Sequence, residues 1–336
     1  RSGRVTGVQT CALPIFLKEQ WMKRFGILLI IMLIAVSFSV FAVDSVLIDF
    51  STLTADEGDE YKNNSATTVD FSGKAGVGYT DEEKKLMVTS LAIEKWNVVL
   101  NSSARSVINQ KLSYTVEAPV MAGALEGDIV MGVRVHFPED PFNAYAMVVP
   151  PFEIPAYMQK DENDGAGSKF DGFGVVKNVG AIKSISMNVY GSNFSNGLGI
   201  ILKDQDGNER NVFMDYLDFK GWRDLGWVNS AYIDEIRNRE LKKFPLYPRT
   251  TPMRQLVGFI IYKDAAQEGG DVITYIKDVS LKYDLAVLPG VDDIDNEALW
   301  GILGKREEAR RTSEWSKLGE AQVLRALEEK LLHREE

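Results

Sequence analysis

The sequence predicts a mainly β protein, a jelly-roll-like β-sandwich followed by a C-terminal amphipathic helix, and three observations carry that reading. Apolar residues recur at every second position in short runs, as in Ile185, Met187 and Val189 against Ser184, Ser186 and Asn188, and again in Leu198, Ile200 and Leu202. Period two turns one face of a strand to the core and the other to water. Segments dense in Gly, Pro, Asn and Asp separate the runs, and such residues reverse the chain or cannot continue a central strand. At Pro289-Gly290 the pattern changes, and from Asp295 onward apolar residues fall three and four apart, as on one stripe of a helix.

The stretch from Ala181 to Asn229 is the most informative. Between Leu202 and the apolar Val212-Phe213-Met214 lies Asp204-Gln205-Asp206-Gly207-Asn208, whose residues tolerate positive φ or cap their own backbone, so a hairpin is predicted there. Gly221-Trp222-Arg223-Asp224-Leu225-Gly226-Trp227 comes next, and its two indoles are expected to fill the gap between two sheets.

Taken in order, the chain begins with a segment set aside from the fold. Residues 1–21 show no periodicity linking them to the rest of the chain, and Val5 to Ile15 reads as translated sequencing adapter. Residues 22–42 read as an export signal: Lys23 and Arg24 supply a basic start, Ile27 to Val36 an apolar core, and Val40-Phe41-Ala42 the small residues of a cleavage site. Phe25 to Val43 is nearly long enough to span a bilayer, yet Ser37, Ser39 and Asp44 favour cleavage, which leaves a mature chain without a membrane anchor. The single cysteine, Cys11, lies in the discarded stretch, so the mature chain is expected to hold together by its core, without disulfides. Residues 43–290 are long enough to bury a full core as one sandwich domain, and 291–336 form the helical tail.

Within the body, Val46, Ile48 and Phe50 are expected on one face of an opening strand, and Thr54 to Tyr79 as a long solvated loop. A short helix is predicted around Asp81 to Met87, and a strand from Trp96 to Leu100. Val133, Val135 and Phe137 face one way and Arg134 and His136 the other, so His136 points outward or lies on an edge. Ala144 to Val149 is a further strand, stopped by Pro150-Pro151-Phe152-Glu153-Ile154-Pro155, which reads as an extended edge or crossover. Gln159 to Asp171 is a polar loop. Past the hairpin, Ile233, Ile236 and Leu241 have roughly helical spacing, and Leu256 to Tyr262 and Val272 to Tyr283 give two more strands. Many short strands with little internal helix indicate a sandwich of the jelly-roll, galactose-binding-like kind. In the tail, Leu299, Trp300, Leu303, Trp315, Leu318 and Leu324 make a stripe too narrow for a core and too apolar to leave bare, so it is expected to dock on its own sandwich or on a neighbour.

Charge narrows the function classes. The chain carries a formal −10, and setting aside residues 1–42 removes five basic residues and one acidic one, leaving −14. An acidic surface without a Lys/Arg cluster repels phosphate backbones, so nucleic acid is not an expected partner. Catalysis finds no support: His136 and His333 are far apart, no cluster has zinc-site spacing, and no serine sits in a nucleophile elbow. Asp204, Asp206 and Asn208 make part of a calcium loop, but the bidentate Glu is absent and Gly207 is out of register, so a turn explains them more simply. No catalytic, cofactor-binding or metal-ligating residue is assigned, and no cofactor is expected.

Several blocks go beyond a generic β protein: 96–105, 132–138, 150–157, 177–180, Gly221-Trp222 and Pro245-Leu246-Tyr247-Pro248. With the export signal and the charged C-terminal helix, they make the chain from Met22 to Glu336 resemble the flagellar filament outer layer proteins of spirochaetes. The resemblance implies a sheath subunit without a catalytic site, coating the flagellin core of filaments that turn inside the periplasm and touching core subunits and other sheath subunits. The alternative is a periplasmic carbohydrate-binding module, with Trp222, Trp227 and the Asp204 to Asn208 turn as its site.

Overall fold

The computed structural model describes residues 42–56, 61–70, 72, 80–85, 87–156, 170–232, 251–286, 293–306, 308–309, 312–313 and 316. In chain order the strands are β1 (Val43–Asp49), β2 (Val69–Asp70), β3 (Val88–Thr89), β4 (Asn97–Leu100), β5 (Tyr114–Pro119), β6 (Ile129–Phe137) and β7 (Ala144–Val149). The second half supplies β8 (Val175–Lys177), β9 (Val179–Ser192), β10 (Gly197–Asp204), β11 (Glu209–Tyr216), β12 (Lys220–Val228), β13 (Met253–Lys263) and β14 (Gly270–Leu285). The short helices α1 (Asp81–Lys85), α2 (Val107–Lys111) and α3 (Asn296–Trp300) lie outside the sheets.

The main strands form two six-stranded antiparallel sheets. The first runs β12-β9-β14-β6-β5 with β1 also on β14; the second runs β11-β10-β13-β7-β4 with β8 also on β13. Their inner faces carry the alternating residues read from the sequence. Ile185, Met187 and Val189 of β9 are buried, and so are Leu198, Ile200 and Leu202 of β10 and Val133, Val135 and Phe137 of β6. Each such side chain taken from water stabilises the fold by roughly 1.5–3 kcal/mol. The β10–β11 hairpin forms as expected: Asp204 accepts from the backbone N–H of Asp206 and of Asn208, both at 2.9 Å, and Gly207 takes the left-handed φ of +86°.

The gap between the sheets is filled differently from the expectation. Trp96, only 3% exposed, meets Phe50 edge-on at 5.2 Å and stacks on Phe259 of β13 at 6.2 Å, while its Nε1 donates to the Leu91 carbonyl at 3.0 Å. Trp222 and Trp227 are only half-buried, and the buried residue of β12 is Leu225 between them. Their spacing of five places the two rings on opposite faces of the strand, so they cannot both point inward.

Other expectations are also corrected. A β-bulge between Val46 and Ile48 adds Leu47 to β1, so Leu47 and Ile48 are both buried while Val46 is exposed. The region after Thr54 is not uniformly solvated: Asn64 and Thr67 are buried, and Asn64 Nδ2 donates to the Thr54 carbonyl at 2.7 Å and to Asp56 Oδ1 at 2.8 Å. Asp56 in turn accepts from the Ser90 hydroxyl at 2.7 Å, which ties this segment to the turn before Trp96.

The tail helix begins where expected, with the Asp295 side chain accepting from Ala298 N at 2.9 Å, but Gly301 at φ +58° ends α3 before helical residues 302–306. Leu299 and Trp300 are 69% and 63% exposed, so this part of the stripe does not lie on its own sandwich. The adapter-like segment, the export signal up to Phe41, the Ile233 to Leu241 helix and residues 317–336 lie outside the described residues.

Candidate functional site

At one end of the sandwich the two inner faces splay apart around an open cavity of about 360 Å³. Trp227 of β12 forms one wall, and the guanidinium of Arg210, on β11, lies 5.0 Å from its ring centre. Arg254 of β13, Asn229, Glu209, and Asp204 and Asn208 of the turn also line it, over an apolar floor that includes Ile185 and Leu202. Burial pushes the Arg254 guanidinium below its usual range, and the Asp204 charge only partly offsets that. Burial also raises the Asp204 carboxyl, but hydrogen bonds from Asn208 and Asp206 outweigh it and hold the group below the ordinary carboxylate value.

Two carboxylates, Asp204 and Glu209, line this cleft. Asp204 Oδ1 already accepts two backbone N–H groups, and Oδ2 accepts Asn208 Nδ2 at 3.1 Å, so the carboxylate is occupied in shaping its own turn. The structure thus brings together Trp227 and the turn, two of the three parts expected for a sugar site. Trp222 is not among them. It stands on the outer face of the first sheet, its ring edge-on to Tyr190 at 5.5 Å.

His136 points outward, as predicted, and finds a partner the sequence did not reveal. Its Nδ1 lies 2.8 Å from Asp271 Oδ1, while Arg134 grips the same carboxylate through Nε at 3.1 Å and Nη2 at 2.8 Å. The Arg134 hydrogen bonds, ahead of that from His136, hold the Asp271 carboxyl below its usual value. A His–Asp pair suggests acid/base work, but here the cluster lies on an open sheet face, clasped by arginine. Among the described residues no group of three or more His, Cys, Asp or Glu is placed to hold a metal ion, and no helix is long and apolar enough to cross a membrane.

The two outer faces of the sandwich differ in kind. The first sheet carries one apolar row, Trp222, Tyr190, Tyr275, Gly132 and Val116, beside polar rows such as Asp224, Asn188 and Asp278, with ion pairs Arg134–Asp271, Lys277–Asp128 and Lys282–Asp44. On the second sheet, cross-strand register lines up Tyr216, Gly197, Tyr262 and Tyr145 in one row. The next row is Phe213, Gly199, Ile260, Met147 and Val99. A third brings Asn211, Ile201 and Gly258 together. None of these positions holds an Asp, Glu, Lys or Arg. Ile260 and Ile201 are 5% and 7% exposed although they stand outside the main core, because their large neighbours shield them.

Sequence reasoning missed this face, yet a signal for it exists. Ala144 to Val149 and Leu256 to Tyr262 are unbroken apolar runs rather than alternations, which puts apolar side chains on both faces of those strands.

Comparison with known proteins adds a further set of findings. A family model described as flagellar filament outer layer protein FlaA matches residues 60–292. A flagellar filament outer layer protein of Spirochaeta aurantia is 47% identical over 320 residues, spanning 94% of each chain. One from Treponema pallidum is 44% identical over 312 residues, covering 87% of this chain and 89% of its own. Among solved structures, TmCBM61 in complex with β-1,4-galactotriose matches 56% of this chain and 88% of its own at 12% identity, but with a TM-score of 0.28, too loose to carry function across.

Proposed function

The chain belongs to the flagellar filament outer layer protein family, and from that premise we propose that it is a structural sheath subunit of the periplasmic flagellar filament. In this reading it coats the flagellin core, touches core subunits and further sheath subunits, does no chemistry, and reaches the periplasm through cleavage of residues 22–42. The observation that carries the proposal is the near full-length match to relatives at 47% and 44% identity that bear the outer layer name. The fold fits it: a two-sheet sandwich in which Asp204 is engaged in its turn and Asp271 with Arg134 and His136 is suited to repeated contact.

The mechanical consequence comes from geometry. Material added at the outside of a filament lies far from its axis, where it resists bending most, so contacts between neighbouring subunits alter stiffness and helical shape. Contacts of the head-to-tail kind do not close and build helical arrays. Deleting the gene is expected to give thinner filaments with altered curvature and impaired swimming. Unchanged diameter, curvature and motility would sink the proposal. Mass analysis of the mature protein should find a chain starting near Val43.

A second reading has one observation in its favour, the open cleft beside Trp227 with Arg210 and the Asp204 turn. An aromatic wall with a few polar groups is the usual make-up of a small-ligand site. Retention of the purified protein on peptidoglycan or β-glycan is the measurement that separates this reading from a purely structural one.

A further inference from the structure

We infer that the outer face of the second sheet is the surface this subunit lays against the filament, a polypeptide partner presenting apolar side chains, while the outer face of the first sheet stays in water. The inference rests on the outer-layer reading and adds to it the orientation of the subunit. A coat on a cylinder needs one side suited to desolvation and one suited to water: the second-sheet face has three adjacent uncharged rows, whereas the first-sheet face has one apolar row, Trp222-Tyr190-Tyr275-Gly132-Val116, beside rows that hold ion pairs. The second-sheet face carries Phe213, Tyr216 and Tyr145 at 44%, 44% and 39% exposure, with charge entering only at the next row, Glu209 beside Lys203, while the first-sheet face carries the Arg134–Asp271 and Lys282–Asp44 pairs.

The shape of the face favours a broad partner. Gly197 and Gly199 have no side chain, and a Cβ on either would press into Phe213 or Ile260, so the aromatic rings lean over bare backbone and the surface stays flat. The twelve positions of the three rows, each covering about 4.8 Å by about 7 Å, give a patch on the order of 400 Å². That is near the size at which apolar surface marks a contact site, yet about half of the roughly 800 Å² that one partner gives to a stable one-to-one complex. Weak single contacts summed over many linked copies suit a repeating filament better than an isolated pair.

Two rival occupants fit less well. Pairing of two identical faces closes on itself and leaves no grip on the filament. The chain's own tail begins by holding Leu299 and Trp300 in solvent rather than laying them on the sandwich.

The test uses the full mature chain and filaments isolated from a strain lacking the gene, with binding read by co-sedimentation. Wild type is expected to bind; Phe213→Asp with Tyr145→Asp is expected to lose at least tenfold in affinity while keeping the wild-type circular dichroism spectrum. Val46→Asp with Val116→Asp, exposed positions on the first sheet, should stay within twofold of wild type. If the double aspartate variant does not fold, Phe213→Ser with Tyr145→Ser takes its place, with the same loss expected in smaller measure. Equal binding by the second-sheet variants, or loss confined to the first-sheet pair, overturns the inference. So does a wild-type dimer in solution that Phe213→Asp dissolves, which would give the face to a second copy. An intramolecular disulfide formed by Tyr145→Cys with Gln322→Cys would give it to the tail. Failure of wild type itself to bind would instead sink the outer-layer reading.

Discussion

Trp222 and Trp227 stand on opposite faces of β12, one ring edge-on to Tyr190 on the outside of the first sheet, the other beneath the Arg210 guanidinium at the mouth of the cleft. A sugar laid across paired indoles needs both rings on one side. Trp222→Ala is therefore expected to leave any retention on β-glycan or peptidoglycan unchanged, whereas any retention that exists should depend on Trp227 and Arg210. Pull-down of single alanine variants at Trp222, Trp227 and Arg210 checks this, and loss of retention on changing Trp222 alone would restore the shared platform.

Trp96 is the indole that holds the sheets together. Trp96→Ala removes a buried ring from contact with Phe50 and Phe259 and orphans the Leu91 carbonyl. The expected cost is about 3–5 kcal/mol, a fall in melting temperature of roughly 10 °C for a domain of this size. Trp222→Ala, on the outer face, should cost about 1 kcal/mol or less. Thermal melts of both variants would show whether this ranking is right.

The Asp204 turn is held by its own hydrogen bonds. Asp204→Ala leaves the N–H groups of Asp206 and Asn208 without their acceptor and is expected to cost about 1–2 kcal/mol. Since those oxygens already accept three protein hydrogen bonds, adding calcium or a chelator should leave the melting temperature of wild type unchanged. A calcium-dependent rise abolished by Asp204→Ala would show that the turn opens to take an ion.

Acid should act on two aspartates with opposite sign. Arg134 and His136 hold Asp271 below its ordinary value, so its stabilising contribution is present above the unfolded value of about 3.9 and is lost as pH falls through the lower folded value. Asp278 is raised, by burial first and then by the Asp49 and Asp224 charges against the pull of Lys277. Its charged form therefore costs stability at neutral pH, and the cost is relieved as pH falls through its raised folded value. Asp271→Asn should lower the melting temperature at pH 7 and Asp278→Asn should raise it, both differences vanishing in strong acid. Melts across the acid range would reveal either sign reversed.

Much of the sandwich was legible because its signals are local. The buried faces of β6, β9 and β10 come from residues two apart, and the β10–β11 turn from the conformational freedom of five consecutive residues. The opposite facing of Trp222 and Trp227 was legible too, in their odd spacing; treating both as core fillers overlooked it. The bulge at Leu47 was hidden, since an extra residue in one strand is defined only by the strand it pairs with.

The sequence by itself determined that alternating apolar runs would close into two β-sheets with a capped helix beginning at Asp295, because alternation and capping depend on neighbours in the chain. Only the tertiary structure decided that Trp96 fills the gap, that Asp271 serves Arg134 and His136 together, and that tyrosines, Phe213 and bare glycines from separate strands assemble into one uncharged patch. Each of those depends on which strands lie side by side. Arg134 and Asp271, 137 positions apart in the chain, are brought together by register, which no local pattern encodes.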